Sequence, residues 1–106
     1  MKVIKSVLKE ELSNSLAMKK GYEKELARLP KGSLIKKNIK GHQYYYLVVR
    51  ENGKVKFVYK GVKVSDKEIK KYEQAKEYRA KYRELLSEVK RQIKFLRSTL
   101  RGKKPV

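Results

Sequence analysis

The sequence predicts an α+β fold in which two long antiparallel helices flank, in the chain, a three-stranded antiparallel β-meander. Three observations predict it. Apolar residues step by three and four at both ends of the chain. An Asn-Gly dipeptide sits between two alternating segments in the middle. Pro30, Ser65 and Gly102 punctuate the boundaries. The chain, residues 1–106, is read as a single domain: helix 3–29, meander 33–61, helix 66–101 and a basic tail 102–106.

The first helix follows from Ile4, Leu8, Leu12, Ser15, Lys19, Tyr22, Leu26 and Leu29, with Val7 and Leu16 widening the stripe. Its seam weakens in the middle, where Ser15, Lys19 and Gly21 replace apolar residues. Gly21 alone costs about 1 kcal/mol relative to Ala in a helix interior. Pro30 ends the helix, because the residue before a proline is pushed out of the helical region.

The last helix opens on Ser65-Asp-Lys-Glu68, a capping box. Ile69, Tyr72, Arg79, Tyr82, Leu86, Val89, Ile93, Leu96 and Leu100 hold near-heptad spacing, and Gly102 with Pro105 closes the segment. At about 1.5 Å per residue this helix is roughly 54 Å long against roughly 40 Å for the first. Each is the obvious cover for the other's stripe, with Leu26 expected near Ile69 and Ile4 near Leu96. The surplus stripe around Ile69 to Tyr82 must meet the sheet or a partner, and the sheet is the favoured cover.

In the meander, Asn52-Gly53 supplies the two positive φ values of a type I′ turn and pairs Glu51 with Lys54, Val48 with Phe57 and Tyr46 with Tyr59. Upstream, a Gly41-His42 loop of type II′ is expected, pairing Ile39 with Tyr44 and Ile35 with Val48. Both registers sort the strands into the same two faces. One holds Ile35, Ile39, Tyr44, Tyr46, Val48, Val55, Phe57 and Tyr59, and is taken as core. The other holds Leu34, Lys36, Asn38, Lys40, Gln43, Tyr45, Leu47, Val49, Lys56, Val58 and Lys60, and is taken as outward.

Composition limits the functions. The net charge is +19, from 30 Lys and Arg against 11 Asp and Glu. So dense a charge gains from any polyanion, with nucleic acid, DNA or RNA, as first candidate and an anionic membrane surface as second; a role in solubility alone competes. With no Cys there is no disulfide, thiolate nucleophile or Cys-ligated zinc, and a single histidine, His42, cannot build a His-rich metal site. No metal and no cofactor are expected. The first residues carry no long apolar core, so they are not read as a secretory signal, and no apolar run approaches the roughly 18 residues of a bilayer span. A cytoplasmic protein without a membrane role is the default.

Two basic surfaces stand out. Lys36, Lys40, Lys56 and Lys60 surround Tyr45 on the outward sheet face, a pattern suited to a DNA groove or to a splayed base. The competing reading is a solvated face whose lysines guard the sheet edges. Leu47, Val49 and Val58 on the same face could instead mark a protein-partner or dimer contact. In the last helix Lys90, Arg91, Lys94, Arg97 and Arg101 form a stripe suited to phosphates, against the alternative of a solvated helix end that favours the dipole. The acids mostly have Lys or Arg three or four residues away, which accounts for them as ion pairs, and no catalytic set is visible. The chain is read as a non-enzymatic nucleic-acid-binding protein, its oligomeric state open.

At LPKGSLIKKNIKGHQYYYLVVRENGKVKFVYKG, residues 29–61, the chain resembles a family of small uncharacterised prokaryotic proteins. These share an LPKGSL start, a YYYL strand, a GKVK turn and a following charged helix; no activity comes with the family. The sheet portion also resembles the arm-type DNA-binding modules of tyrosine recombinases, whose three-stranded sheets enter the major groove. Here the sheet lies between two long helices, a departure from that arrangement. Chains of this type would fit a phage or mobile element. The resemblance therefore implies an alternative function, an inhibitor of a nucleic-acid-guided defence nuclease with that nuclease as protein partner.

Overall fold

The structure, a computed structural model, describes residues 2–102, and the side chains of residues 4–102. The expected basic tail therefore falls, beyond Gly102, outside the described residues. The element order is α1 (Lys2–Arg28), β1 (Ser33–Ile39), β2 (His42–Glu51), β3 (Lys54–Gly61) and α2 (Asp66–Leu100). This is the α+β arrangement expected: two helices with a three-stranded antiparallel meander, in the order β1-β2-β3, inserted between them in the chain. The chain divides into two compact units. A helical unit takes the described parts of Met1–Arg28 and Ala80–Val106, and a sheet unit takes Leu29–Arg79. α2 is unbroken through Arg79 and contributes to both.

The helical unit pairs α1 with the second half of α2. Tyr22 meets Tyr82, their ring centroids 6.1 Å apart. Followed along two antiparallel helices, that contact puts Ser15 level with Val89, the most buried positions of the unit at 1% and 2% exposure. Ser15, which looked like a flaw in the seam, is buried, as are Val89, Ile93 and Leu96 of α2. No buried side-chain polar atom among the described residues lacks a hydrogen-bond partner. Gly102, at φ 74°, closes α2 by donating its N–H to the Thr99 carbonyl at 3.2 Å.

In the sheet unit, the Ser65 hydroxyl accepts the Glu68 N–H at 3.2 Å, forming the N-cap of α2. The Glu68 carboxylate lies 3.5 Å from Lys60 Nζ. Arg79 occupies a seam position because its guanidinium donates to the Pro30 carbonyl at 2.8 Å, tying the segment that leaves α1 to α2. Gly32, at φ 100°, is required on two counts. A Cβ there would sit 3.0 Å from both Leu47 Cδ1 and the Val48 carbonyl oxygen, and the backbone lies where side chains are disfavoured.

The hairpins correct the sequence reading in one place. β2 and β3 pair as expected, Glu51 with Lys54 and Val48 with Phe57. β1 and β2 do not: the turn is Lys40-Gly41, at φ 51° and 82°, a second type I′ turn. Ile39 therefore pairs with His42 and Ile35 with Tyr46. Glycine in the second loop position, as in Asn52-Gly53, decides the turn, whereas the expected type II′ turn needs it in the first. The shift is by two residues, so it preserves the two faces. A bulge between Tyr45 and Tyr46 leaves Lys60 as the extra residue of β3, since Tyr46 pairs with Tyr59 and Tyr45 with Gly61.

The face taken as core is only partly covered. Phe57 and Tyr59, expected in the core, are 54% and 56% exposed, and Val55 and Ile39 are also exposed. Residues of both faces meet α2: Ile35 of the expected core face, with Leu34, Lys36 and Tyr45 of the expected outward face, lines a cavity of about 450 Å³ together with Ser33, Ile69, Tyr72, Glu73 and Lys76. Lys60 also reaches Glu68. The physical reason lies in β2, where Tyr44-Tyr45-Tyr46-Leu47-Val48-Val49 is apolar on both faces. Alternation sorts such a strand into two sets without saying which is covered.

Candidate nucleic-acid interface

The spacing of Lys90, Lys94, Arg97 and Arg101, four, three and four residues, places these side chains on one stripe of α2. In the helical unit they line a single groove of about 230 Å³ with Lys19 of α1 and the buried Ile93. Five cations thus share one concavity with no carboxylate in its lining. Like charges held this close raise the local potential, and the arrangement is relieved by an anion that can bridge several of them. A polyphosphate backbone has that form.

The expected stripe is largely present, with one member displaced and one added. Arg91 lies one position off and its guanidinium donates to the Ser87 hydroxyl at 3.4 Å, so it does not line the groove. Lys19 does, half-buried. In the sequence it reads as an interruption of the α1 seam, and only the pairing of α1 against α2 shows that it faces four other cations.

The sheet residues scatter. Lys40 is in the first hairpin turn and Lys56 is 3.3 Å from Glu51, both exposed. Lys60 is engaged with Glu68. Tyr45, expected to stand free among lysines, is half-buried in the cavity against α2, with Lys36 Nζ 5.3 Å from its ring centroid. Of the apolar patch, Leu47 and Val49 are half-buried and only Val58 is exposed. On the face taken as outward, Leu34, Tyr45, Leu47 and Val49 are thus half-buried, while the lysines and Val58 are exposed.

The opposite, open face has an organisation that the sequence reading spent on the core. Tyr59 is the hub, its ring centroid 5.5 Å from Tyr46 and 6.2 Å from Tyr44. Lys37 Nζ lies 4.5 Å from the Phe57 centroid and 5.4 Å from that of Tyr46. Among the described residues, no group of three or more His, Cys, Asp or Glu could hold a metal ion, and no helix is long and apolar enough to cross a membrane.

Fold and surfaces together define a small, strongly basic α+β protein with a cation-lined helical groove and an open aromatic sheet face. Residues 7–71 match the family described as a domain of unknown function, DUF6788, and the chain belongs to that family. The matched span takes in most of α1, the whole sheet and the first turns of α2; it includes Lys19 and stops short of Lys90. Neither a curated protein nor a solved structure matches the chain.

Proposed function

We propose that this protein binds nucleic acid without catalysing a reaction on it, and that phosphate contacts in the helical groove supply most of the affinity. The observation that carries the proposal is the gathering of Lys19, Lys90, Lys94, Arg97 and Arg101 in one groove without an acid. A surrounding net charge of +19 adds long-range attraction for any polyanion. Lys36, Lys40 and Lys56, all exposed, would contribute at a distance. The likeness of the sheet to recombinase arm modules, and an origin in a phage or mobile element, fit the same proposal.

The test is a fluorescence titration of labelled duplex, single-stranded DNA and structured RNA across a salt series. Counterion release makes log K fall with log salt by about 0.9 per phosphate neutralised on B-DNA, so five contacts give a slope of roughly −4.5. Arg97→Gln with Arg101→Gln should flatten it by about 2 and weaken all sequences alike. A wild-type slope near zero overturns the proposal. A second reading, a protein-interaction module or an inhibitor of a nucleic-acid-guided nuclease, is favoured by the exposed apolar residues of the sheet, Val58 among them. On that reading, binding would survive high salt and fall with the apolar residues.

A further inference from the structure

We infer that the open face of the sheet is a stacking platform for the bases of a single-stranded nucleic acid. The inference rests on the nucleic-acid-binding reading above and assigns a second, chemically different contact to it. Folded chains seldom leave large aromatic rings uncovered when a core could take them. Here Phe57 and Tyr59 are more than half exposed on adjacent β3 positions of one face, with Tyr44 and Tyr46 beside them.

What covers such a face is indicated by charge. Lys37 stands over the Phe57 and Tyr46 rings, Arg50 pairs with Val55 at the other end of the face, and Lys40 lies in the adjoining turn. The one acid in the three strands, Glu51, is on the opposite face, ion-paired with Lys56. Flat π-surfaces ringed by cations alone suit a ligand that offers flat bases and phosphates together. A base inside a duplex is already stacked, so the ligand that gains is a single strand with its bases splayed. On docking, the Lys37 ammonium, which already sits 4.5 Å from the Phe57 centroid, can pass from the ring to a phosphate while a base takes its place.

The experiment is a titration of a labelled oligo(dT) single strand and of a duplex of the same length, with tyrosine fluorescence as a second readout. The variant is Phe57→Leu with Tyr59→Leu, which keeps an apolar face and removes two rings. Losing a stack weakens single-strand binding by roughly 5- to 150-fold per base, so a fall of at least tenfold is expected. The salt slope and duplex affinity should stay within about twofold, and circular dichroism should be unchanged. Tyr59→Phe alone, keeping its ring, should bind the single strand nearly as wild type. Oligo(dT) should quench tyrosine emission in wild type and less so in the leucine pair.

Single-strand affinity that is indifferent to the leucine pair, while wild type keeps its steep salt slope, overturns the platform and leaves the groove standing. Wild type without salt-dependent binding to any strand removes the groove and the platform together. Conversion of a wild-type dimer to monomers by the leucine pair, with single-strand affinity unchanged, overturns the platform in favour of a second copy of the chain as occupant.

Discussion

The two units spend the same kinds of residue in opposite ways. In the helical unit, Val89, Ile93 and Leu96 are buried and five cations line a groove with Ile93. In the sheet unit Ala75 is the buried apolar residue, while Val55, Phe57 and Tyr59 are exposed and one cation lies across the rings. The helical unit covers its seam and displays charge, with Val7, Met18 and Phe95 left exposed away from the seam, while in the sheet unit the exposed apolar residues gather on the strands. Hydrophobicity in this chain is thus a poor guide to what holds it together. Position decides: a residue on the α1–α2 seam is covered by a second helix, whereas the rings of the open sheet face have a lysine side chain across them.

The sharpest way to break that comparison is to truncate one apolar residue in each unit. Ile93→Ala removes a buried side chain and should cost about 2–5 kcal/mol, a large part of the roughly 5–15 kcal/mol typical of a whole domain. Phe57→Ala removes a larger side chain and should cost under about 1 kcal/mol, since little burial is lost. Urea unfolding followed by circular dichroism measures both. Similar losses from the two variants would mean that the sheet face is covered in solution, by a second chain or otherwise.

Gly32→Ala should come next. It probes the backbone of the sheet unit, where the Leu47 side chain can yield and the Val48 carbonyl cannot. Strain from a positive φ and the close oxygen together should cost about 1–3 kcal/mol, read as a lower urea midpoint. The same substitution at Gly21, mid-helix in α1 with nothing within 4 Å of an added Cβ, should stabilise instead, by up to about 1 kcal/mol. Opposite signs for one chemical change would confirm that each unit sets its own terms.

How far these differences could be read from residues alone follows from what kind of signal each leaves. Helix and strand limits were legible, because Pro30, Ser65, Gly102 and Asn52-Gly53 act through local backbone chemistry. The basic stripe was legible for the same reason: Lys90, Lys94, Arg97 and Arg101 are neighbours on one helix. Which strand residues are covered was not, because both faces of β2 are apolar. The choice is made across sequence, by a cavity against Ile69 and Tyr72 and by a bulge at Lys60. Lys19 was invisible as a groove residue because its partners lie some seventy positions away, across the pairing of α1 with α2. Signals confined to one element were readable, and those that need two elements brought together were not.

The smallest expected effect asks whether the sheet unit shares in phosphate binding at all. Glu51 and Lys56 form an exposed pair 3.3 Å apart, and pairs of that kind contribute about 0–1 kcal/mol. Glu51→Gln should therefore leave the urea midpoint almost where it was. Its consequence for binding is more informative. The substitution releases Lys56 from the Glu51 carboxylate and raises the net charge from +19 by one. If nucleic acid runs along the sheet as well as the groove, a freed Lys56 can take a phosphate, and the salt slope should steepen by about 0.9. If phosphate contacts are confined to the helical unit, the slope stays put and affinity rises only slightly, uniformly across ligands, through long-range attraction that salt screens within about 10 Å at 0.1 M. A steeper slope for the single strand and an unchanged one for the duplex would place the single strand on the sheet and the duplex on the helices. The two units would then differ in ligand as they differ in what they bury.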